Sequence, residues 1–112
     1  MEHNQIINAT NRKVTDTYTL PNGYRVKVVT SHNKDYKSYR SLISECVTTS
    51  DNGYTWERHV IWADLMQLIA TVPAVRYNYE RLKESHQKAL ALAGDLVNEL
   101  LNKNKDREMV SA

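Results

Sequence analysis

The chain has 112 residues, of which 41% are hydrophobic and 25% charged, an ordinary composition for a soluble globular protein that favours one domain over residues 1–112. Its net charge of +2 is too small to imply a polyanionic partner, and no apolar run approaches the ~20 residues of a membrane span. The single cysteine, Cys46, excludes an internal disulfide and a cysteine-based zinc cluster. The polar start lacks the apolar block of a signal peptide, so we expect a cytoplasmic protein with no membrane partner.

The N-terminal half predicts a sheet made of two hairpins over residues 14–62. Residues 1–13 show no periodicity and are expected to form a flexible lead-in. In the first hairpin, residues 17–20 and 24–30 flank a Pro-Asn-Gly turn at 21–23, where glycine takes the left-handed position that closes the turn. Apolar and basic residues alternate along the outgoing strand, which predicts one apolar face and one basic face.

A second hairpin follows a polar connection at residues 31–38, which is expected to be a loop. Its strands are predicted at residues 39–47 and 54–62. Between them, the sequence Ser-Asp-Asn-Gly at residues 50–53 has the composition of a turn.

The second turn carries a recognisable pattern made of Thr49, Asp51, Gly53, Thr55 and Trp56. The pattern resembles the Asp-box, Ser-x-Asp-x-Gly-x-Thr-Trp, of sialidases and other β proteins, with threonine in the first place. In those proteins the box is a repeated structural hairpin turn that lies away from the catalytic site. Here it occurs once, over eight residues, so the resemblance implies a hairpin and no glycosidase activity.

The hydrophobic pattern becomes helical after the second hairpin, and residues 63–102 are predicted to form a helical oligomerisation region. A short helix is expected at residues 64–71 with Asp64 as its N-cap, followed by a long helix with Pro73 in its first turn. A single helix kinked at Pro73 is the alternative. The charged tail, residues 103–112, is expected to fray.

The expected fold is therefore α+β. It consists of an antiparallel sheet of about four strands, arranged as two hairpins, followed by a short helix and a long C-terminal amphipathic helix.

The long helix carries an unbroken heptad seam, whose positions recur at alternating steps of four and three residues. Small residues at Ala89, Ala93 and Gly94 would let a partner helix approach closely. A helix of roughly 45 Å is also too long for one compact molecule to cover. We therefore expect a homo-oligomer, with its subunit number and helix orientation left open. The predicted interface consists of Tyr79, Leu82, His86, Ala89, Ala93, Leu96 and Leu100.

The sequence lacks the signatures of catalytic and metal sites. Its four histidines lie far apart, and a single cysteine disfavours a structural zinc site. No nucleophile elbow, phosphate-cradling glycine loop or dinucleotide fingerprint is present. Cys46 lies in an apolar strand, where a free cysteine behaves as a small hydrophobe. We therefore predict neither an enzyme nor a protein with a metal or cofactor.

Aromatic and basic residues recur with a period of two along the last predicted strand, which places them on one face. This face could be covered by the helices as core. Alternatively, its rim could bind a ligand, with an arginine between two tryptophans holding a base, a phosphate or a protein surface. Residues just before the second hairpin could extend this surface. The predicted ligand-binding set is Tyr36, Tyr39, Arg40, Tyr54, Trp56, Arg58 and Trp62.

The N-terminal half is mildly basic, with seven bases and two acids between Arg12 and Arg40. A solvated sheet face explains such a bias more often than nucleic acid does, and the small net charge counts against a polyanion. Nucleic-acid binding by a dimeric regulator is therefore the alternative function. Its predicted contacts are Arg25, Lys27, Lys34, Lys37 and Arg40.

These features favour a small non-catalytic binding or inhibitor protein that is oligomeric through its C-terminal helix. In size and class the chain is similar to bacteriophage accessory proteins that block host or defence factors, although no family is matched by residues. Besides its own copies, the expected partner is a host protein or a small ligand such as a signalling nucleotide. Sequestering a nucleotide needs positive groups and aromatic stacking but no catalytic pair.

Overall fold

The computed structural model describes residues 1–51, 54–59 and 67–106, and for residues 48–51 and 54–59 it describes the backbone alone. This part of the chain forms six strands and one helix, which confirms the α+β class with two more strands than expected. The elements are β1 (Glu2–Asn8), β2 (Lys13–Thr19), β3 (Arg25–Asn33), β4 (Ser38–Asp51), β5 (Tyr54–His59), β6 (Gln67–Pro73) and α1 (Tyr79–Asn104).

The strands form one antiparallel sheet in the order β1-β2-β3-β4-β5, with β6 also paired to β4. β4 is 14 residues long and takes two partners along one edge. Its N-terminal half pairs with β6 from Ser38 to Ile43, and its C-terminal half pairs with β5 from Cys46 to Asp51. On the other edge, β3 reaches only as far as Cys46. The β4–β5 hairpin therefore extends beyond the main sheet.

The first predicted hairpin is confirmed by β2 and β3. Gly23 has a φ of 92°, in the left-handed region that favours glycine. The Leu20 N–H donates to the Tyr24 carbonyl at 2.8 Å, and the Gly23 N–H donates to the Leu20 carbonyl at 2.9 Å. The Asn22 side chain accepts a further hydrogen bond from the Tyr24 N–H at 3.0 Å. The Pro-Asn-Gly sequence thus closes the turn as predicted.

The second predicted hairpin is confirmed where the structure describes it. β4 and β5 pair antiparallel and end with Asp51 opposite Tyr54, so the chain turns where the Asp-box resemblance implies. Residues 52–53 of the turn, and residues 60–62 of the predicted returning strand, lie outside the described residues. The connection before this hairpin is shorter than predicted, because only residues 34–37 separate β3 from β4.

The predicted flexible lead-in contains a strand, so that prediction is wrong for β1. β1 pairs with β2 along its whole length, from Glu2 opposite Thr19 to Asn8 opposite Lys13. Every β1 side chain is exposed. The strand therefore needs no apolar alternation. It is held by backbone pairing with β2 and by side-chain hydrogen bonds from His3 and Gln5 to Asp16, which leave no apolar pattern in the sequence.

The prediction of a short helix at residues 64–71 is wrong for residues 67–71, because these belong to β6. Residues 64–66 lie outside the described residues. β6 pairs with an edge of β4 and ends at Pro73, a position at which a sheet tolerates proline. A register shift between these two strands brings both Ile69 and Ala70 against the core. Two consecutive inward residues break the period-two alternation, which is why the segment reads as helical.

The long helix begins at Tyr79, later than predicted, and Pro73 neither starts nor kinks it. Asn78 is the N-cap, and its side-chain oxygen accepts from the Arg81 N–H at 3.1 Å. The helix has 26 residues, which corresponds to about 39 Å. It ends at Asn104, two residues into the tail that is expected to fray.

α1 covers one face of the sheet, and the main core lies between the two layers. Alternate residues of β3 point toward the helix, where Val26 and Val28 are fully buried. Ala89 and Ala93 belong to the same buried cluster from the side of α1. Their small side chains let the helix lie close to the sheet.

The heptad seam is therefore used inside the molecule, and its assignment to an intermolecular interface is wrong for the buried positions. The assignment assumed a compact shape, but the radius of gyration is 15.2 Å and the longest dimension is 47 Å. One molecule is thus long enough to cover the helix. Tyr79 stays 38% exposed and Leu96 half-buried. The buried seam residues are Leu82, His86, Ala89, Ala93 and Leu100.

Candidate functional site

The face of the sheet opposite α1 is covered by none of the described elements, and we call it the helix-free face. Its side chains alternate with those that point toward the helix, and most are exposed or half-buried. Directly paired residues share a face, so rows cross the sheet from strand to strand. The central row consists of Ile6, Thr15, Val29, Leu42 and Leu68.

Basic residues outnumber acidic ones over most of this face. The one acid among its positions on β1, β2, β3, β6 and the first nine residues of β4 is Glu2. Three of the bases were predicted as nucleic-acid contacts, whereas the fourth, Lys13, was missed because it was assigned to the lead-in. The four bases are Lys13, Arg25, Lys27 and Arg40.

A pocket of about 300 Å³ opens at one corner of the helix-free face, and we call it the Tyr36 pocket. The Tyr36 ring is 67% exposed, and the guanidinium carbon of Arg40 lies 4.8 Å from the centre of this ring. That distance is within the range of a cation–π contact. The pocket is lined by Tyr36, Lys37, Ser38, Arg40, Thr71 and Pro73.

The turn between β3 and β4 is fixed by hydrogen bonds, and this positions Tyr36. The side-chain oxygen of Asn33 accepts from the Asp35 N–H at 2.9 Å and from the Tyr36 N–H at 3.3 Å. Lys37 has a φ of 48°, and its carbonyl accepts from the Ala74 N–H at 2.9 Å. The turn is thus tied to the segment that follows β6, and the aromatic ring and the cations stand on a defined backbone.

The chemistry of the Tyr36 pocket suits an anion. Lys37 and Arg40 supply positive charge, and none of its described lining residues is acidic. Ser38 is 4% exposed, and its Oγ has no hydrogen-bond partner among the described residues. A buried hydroxyl without a partner is costly, and a ligand oxygen would relieve that cost. Thr71 adds a second hydroxyl.

The structure brings together only part of the predicted ligand-binding set. Tyr36 and Arg40 meet, but Tyr39 is 1% exposed and points toward α1, so its assignment to a binding surface is wrong. Its hydroxyl accepts from the Asn78 N–H at 2.8 Å and donates to the Asn78 carbonyl at 3.1 Å. Tyr39 therefore supports the start of the helix.

Tyr54 and Trp56 of the second hairpin lie far along β4 from this pocket. Trp56 is paired with Thr49, nine residues along β4 from Arg40, a separation of about 30 Å. The backbone therefore does not bring Tyr54 and Trp56 together with Arg40. Tyr54 and Arg58 lie on the same strand as Trp56, and Trp62 lies outside the described residues.

The predicted nucleic-acid contacts are spread along the helix-free face and its corner. Arg40 lies opposite Ser31, whereas Arg25 lies six residues away on β3, or about 20 Å. Lys34 and Lys37 are exposed in the turn between β3 and β4. One compact site formed by all five predicted bases is therefore not present.

A chain of polar side chains lies under α1, and sequence reasoning missed most of it. His86 Nε2 is 2.7 Å from Asp16 Oδ1, and His86 Nδ1 is 2.8 Å from Thr30 Oγ1. Thr30 Oγ1 is in turn 2.7 Å from Ser41 Oγ. A carboxylate, an imidazole and a hydroxyl in this order resemble the parts of a nucleophilic triad. However, all four residues are at most 1% exposed, so neither hydroxyl is open to a substrate.

Asp16 is the centre of this buried network. Its carboxylate also lies 2.8 Å from Gln5 Nε2 and 2.5 Å from His3 Nε2, both on β1. Burial by itself raises the pKa of Asp16, but hydrogen bonds from His86, Gln5 and His3 outweigh that effect and lower it. Asp16 is therefore a carboxylate that its neighbours stabilise in the charged form.

The described residues contain neither a metal-binding cluster nor a helix that could span a membrane. No cluster of three or more histidine, cysteine, aspartate or glutamate residues is arranged there to hold a metal ion. Cys46, the single cysteine of the chain, is buried. α1, the one helix in the described ranges, is not apolar enough to cross a membrane.

The Tyr36 pocket is thus an accessible polar site beside a basic sheet face. Comparisons of the chain with models of protein families, with curated proteins and with solved structures find no match.

Proposed function

We propose that the protein is a non-catalytic binding protein, and that the Tyr36 pocket holds a phosphorylated ligand of nucleotide size. The observation that carries this proposal is the Arg40 guanidinium lying 4.8 Å from the centre of an exposed tyrosine ring, beside Lys37. The same pocket is lined by Ser38, whose buried Oγ has no hydrogen-bond partner among the described residues.

Each part of a nucleotide has a counterpart in the pocket. Arginine and lysine are the side chains that bind phosphate most strongly, and arginine does so with two parallel donors. A nucleobase stacks on an aromatic ring or a guanidinium plane, which gives affinity with little dependence on the base. The volume of about 300 Å³ is at the lower limit for small-molecule pockets, which suits one nucleotide.

The pocket is suited to holding a ligand rather than converting it. Its described lining contains no carboxylate, imidazole or thiol that could act as a base or nucleophile. A protein that binds a signalling nucleotide and keeps it from its receptor would act as an inhibitor. This agrees with the role expected from the sequence, that of a bacteriophage accessory protein that blocks a host or defence factor. Since the helix seam is buried, oligomer formation through α1 is not part of this proposal.

Calorimetric titration with AMP, and separately with inorganic phosphate, tests the proposal. Arg40→Ala should weaken both ligands about tenfold or more, because it removes the phosphate contact. Tyr36→Leu should weaken AMP but leave phosphate unchanged, because it removes only the stacking surface. Lys88→Ala, on the exposed side of α1, is the matched control. Absence of AMP binding to the folded wild type at millimolar concentration would refute the proposal.

Nucleic-acid binding is the second candidate, because Lys13, Arg25, Lys27 and Arg40 lie on one face. On that face Glu2 is the only acid among the positions of β1, β2, β3, β6 and residues 38–46 of β4. Extended positive surfaces of this kind bind phosphate backbones with a steep dependence on salt.

The second candidate is tested by binding a 20-mer duplex and a 20-mer single strand over a range of salt concentrations. Lys13→Glu combined with Lys27→Glu should weaken binding and reduce the salt slope by about two, one for each lost phosphate contact. A flat salt response in the wild type would eliminate this function. An intact AMP response in the double variant would show that the two candidates use different surfaces.

A further inference from the structure

A second basic pocket adjoins the Tyr36 pocket at the same corner of the sheet. It has a volume of about 380 Å³, and we call it the Arg12 pocket. It is lined by Arg12, Ser31, His32, Asn33 and Lys34. Among the described residues, the lining of neither pocket includes an acid, and Asp35, in the turn between them, is exposed.

The register of β3 and β4 makes the two pockets neighbours. Ser31 of the Arg12 pocket is directly opposite Arg40 of the Tyr36 pocket, and Asn33 is directly opposite Ser38. Residues paired in this way have Cα atoms about 4.5–5.5 Å apart. The two pockets therefore flank a single turn, residues 34–37, and one ligand can reach both.

Arg12 is held in place by contacts on two sides. It has a φ of 54°, and its carbonyl accepts from the His32 N–H at 3.1 Å, which ties the β1–β2 turn to β3. Its guanidinium carbon lies 4.9 Å from the centre of the Tyr77 ring. Such a contact orders the guanidinium and leaves its edge available to an anion.

His32 gives a second indication of a ligand in the Arg12 pocket. Its Nε2 lies 3.2 Å from the Ala74 carbonyl, which can only accept, so Nε2 carries the proton. Its Nδ1 has no hydrogen-bond partner among the described residues, although His32 is only 9% exposed. Nδ1 is therefore a buried acceptor without a partner among the described residues. A hydroxyl of the ligand could donate to it, whereas a phosphate oxygen could not.

We propose that the two pockets together bind one ligand that carries a ring and two phosphate groups. This inference rests on the proposed function. Lys37 and Arg40 suffice for one phosphate, which leaves Arg12 and Lys34 for a second. Two ligand classes have this chemistry: a nucleoside diphosphate, whose phosphates are adjacent, and a dinucleotide, whose phosphates are separated by a sugar.

Calorimetric titrations with AMP, ADP and the dinucleotide pApA test this inference and distinguish the two classes. At least one of the two diphosphorylated probes should bind wild-type protein about tenfold more tightly than AMP, because it gains charge-assisted hydrogen bonds. If ADP binds more tightly than pApA, the ligand has adjacent phosphates; if pApA binds more tightly, its phosphates are separated by a sugar. Arg12→Ala should abolish this gain and leave the affinity for AMP unchanged.

Lys34→Ala is the second variant, since loss of the Tyr77 contact in Arg12→Ala could unfold the protein, whereas Lys34 is exposed in a turn. It should reduce the gain for the same probe and leave AMP binding intact. Equal affinities for all three probes, or a gain that survives Lys34→Ala, would overturn the inference while the proposed function stands. If none of the probes binds, both fail.

Discussion

At the scale of residues, Asp16 shows how this sheet accommodates a buried charge. Its carboxylate meets three side-chain donors, from His86 on the helix and from His3 and Gln5 on the edge strand. A buried carboxylate without donors would be strongly unfavourable, so these contacts connect three elements through one group. His3 also stacks on Tyr18, with ring centres 4.2 Å apart, which orders the exposed end of this network.

We predict that Asp16→Asn lowers the free energy of unfolding by about 2–4 kcal/mol, because an amide cannot accept from all three donors. The pKa of Asp16 is lowered in the folded state, so the unfolded state takes up the proton first as the pH falls. The contribution of Asp16 is thus complete above the ordinary pKa of an aspartate and is lost below it. Urea unfolding at several pH values should show the difference between wild type and variant shrinking in acid.

Asp95→Asn is the matched control, because Asp95 is exposed on α1. It should change stability little at any pH. A difference between Asp16→Asn and wild type that stays constant from neutral to acid pH would show that the charge of Asp16 is not what stabilises the fold.

At the scale of elements, α1 contains two adjacent small residues with opposite roles. Ala93 is 1% exposed and lies in the core cluster. A methyl group built on Gly94, by contrast, would meet no described atom within 4 Å other than those of its chain neighbours and of the adjacent helix backbone. Ala93 therefore sets the distance between helix and sheet. Gly94, by contrast, has no close neighbour in the described structure that would require a glycine.

We predict that Ala93→Leu destabilises the protein by about 1–3 kcal/mol through overpacking. Gly94→Ala should stabilise it by about 0.5–1 kcal/mol, because alanine favours a helix and restricts the unfolded chain. Denaturant unfolding of the two variants measures both changes. If Ala93→Leu leaves stability unchanged and alters the sedimentation coefficient instead, the helix seam is an interface between copies after all.

The elements also show which parts of the fold can be predicted from sequence. The Pro-Asn-Gly turn and the alternation of Val26 and Val28 are local signals, and they gave the first hairpin correctly. β1 has only exposed side chains and is defined by backbone pairing, so it has no local signal. β6 was misread because a register shift brings Ile69 and Ala70 inward together, and only the partner strand reveals that shift.

The candidate site likewise contains residues that the sequence suggested and residues that it could not suggest. The pairing of Tyr36 with Arg40 follows from a turn and the strand next to it, so proximity in sequence suggested it. Thr71 and Arg12 reach the same corner through β6 and the β1–β2 turn, two elements whose place in the sheet the sequence did not indicate. Asp16 offered a weak signal, a polar residue at an inward position between Val14 and Tyr18.

At the scale of the whole molecule, the elongated shape explains why most of the helix seam is buried within one chain. A heptad pattern indicates that one side of a helix is covered, but it does not indicate by what. Here the sheet extends far enough along the helix, because the molecule measures 47 Å in its long direction and α1 has 26 residues. Length relative to an average compact domain was therefore a poor guide to what covers the buried part of the seam.

The long strand β4 also has a consequence for which insertions the chain can tolerate. β6 and β5 lie end to end along one edge of β4, and they meet between Ile43 and Cys46. Side chains alternate between the two faces of a sheet. One extra residue at this junction would therefore move each later side chain of β4 to the opposite face and would invert the β4–β5 hairpin. Two extra residues would restore it. Insertions or deletions of an even number of residues at this junction thus preserve the orientation of the hairpin, and those of an odd number invert it.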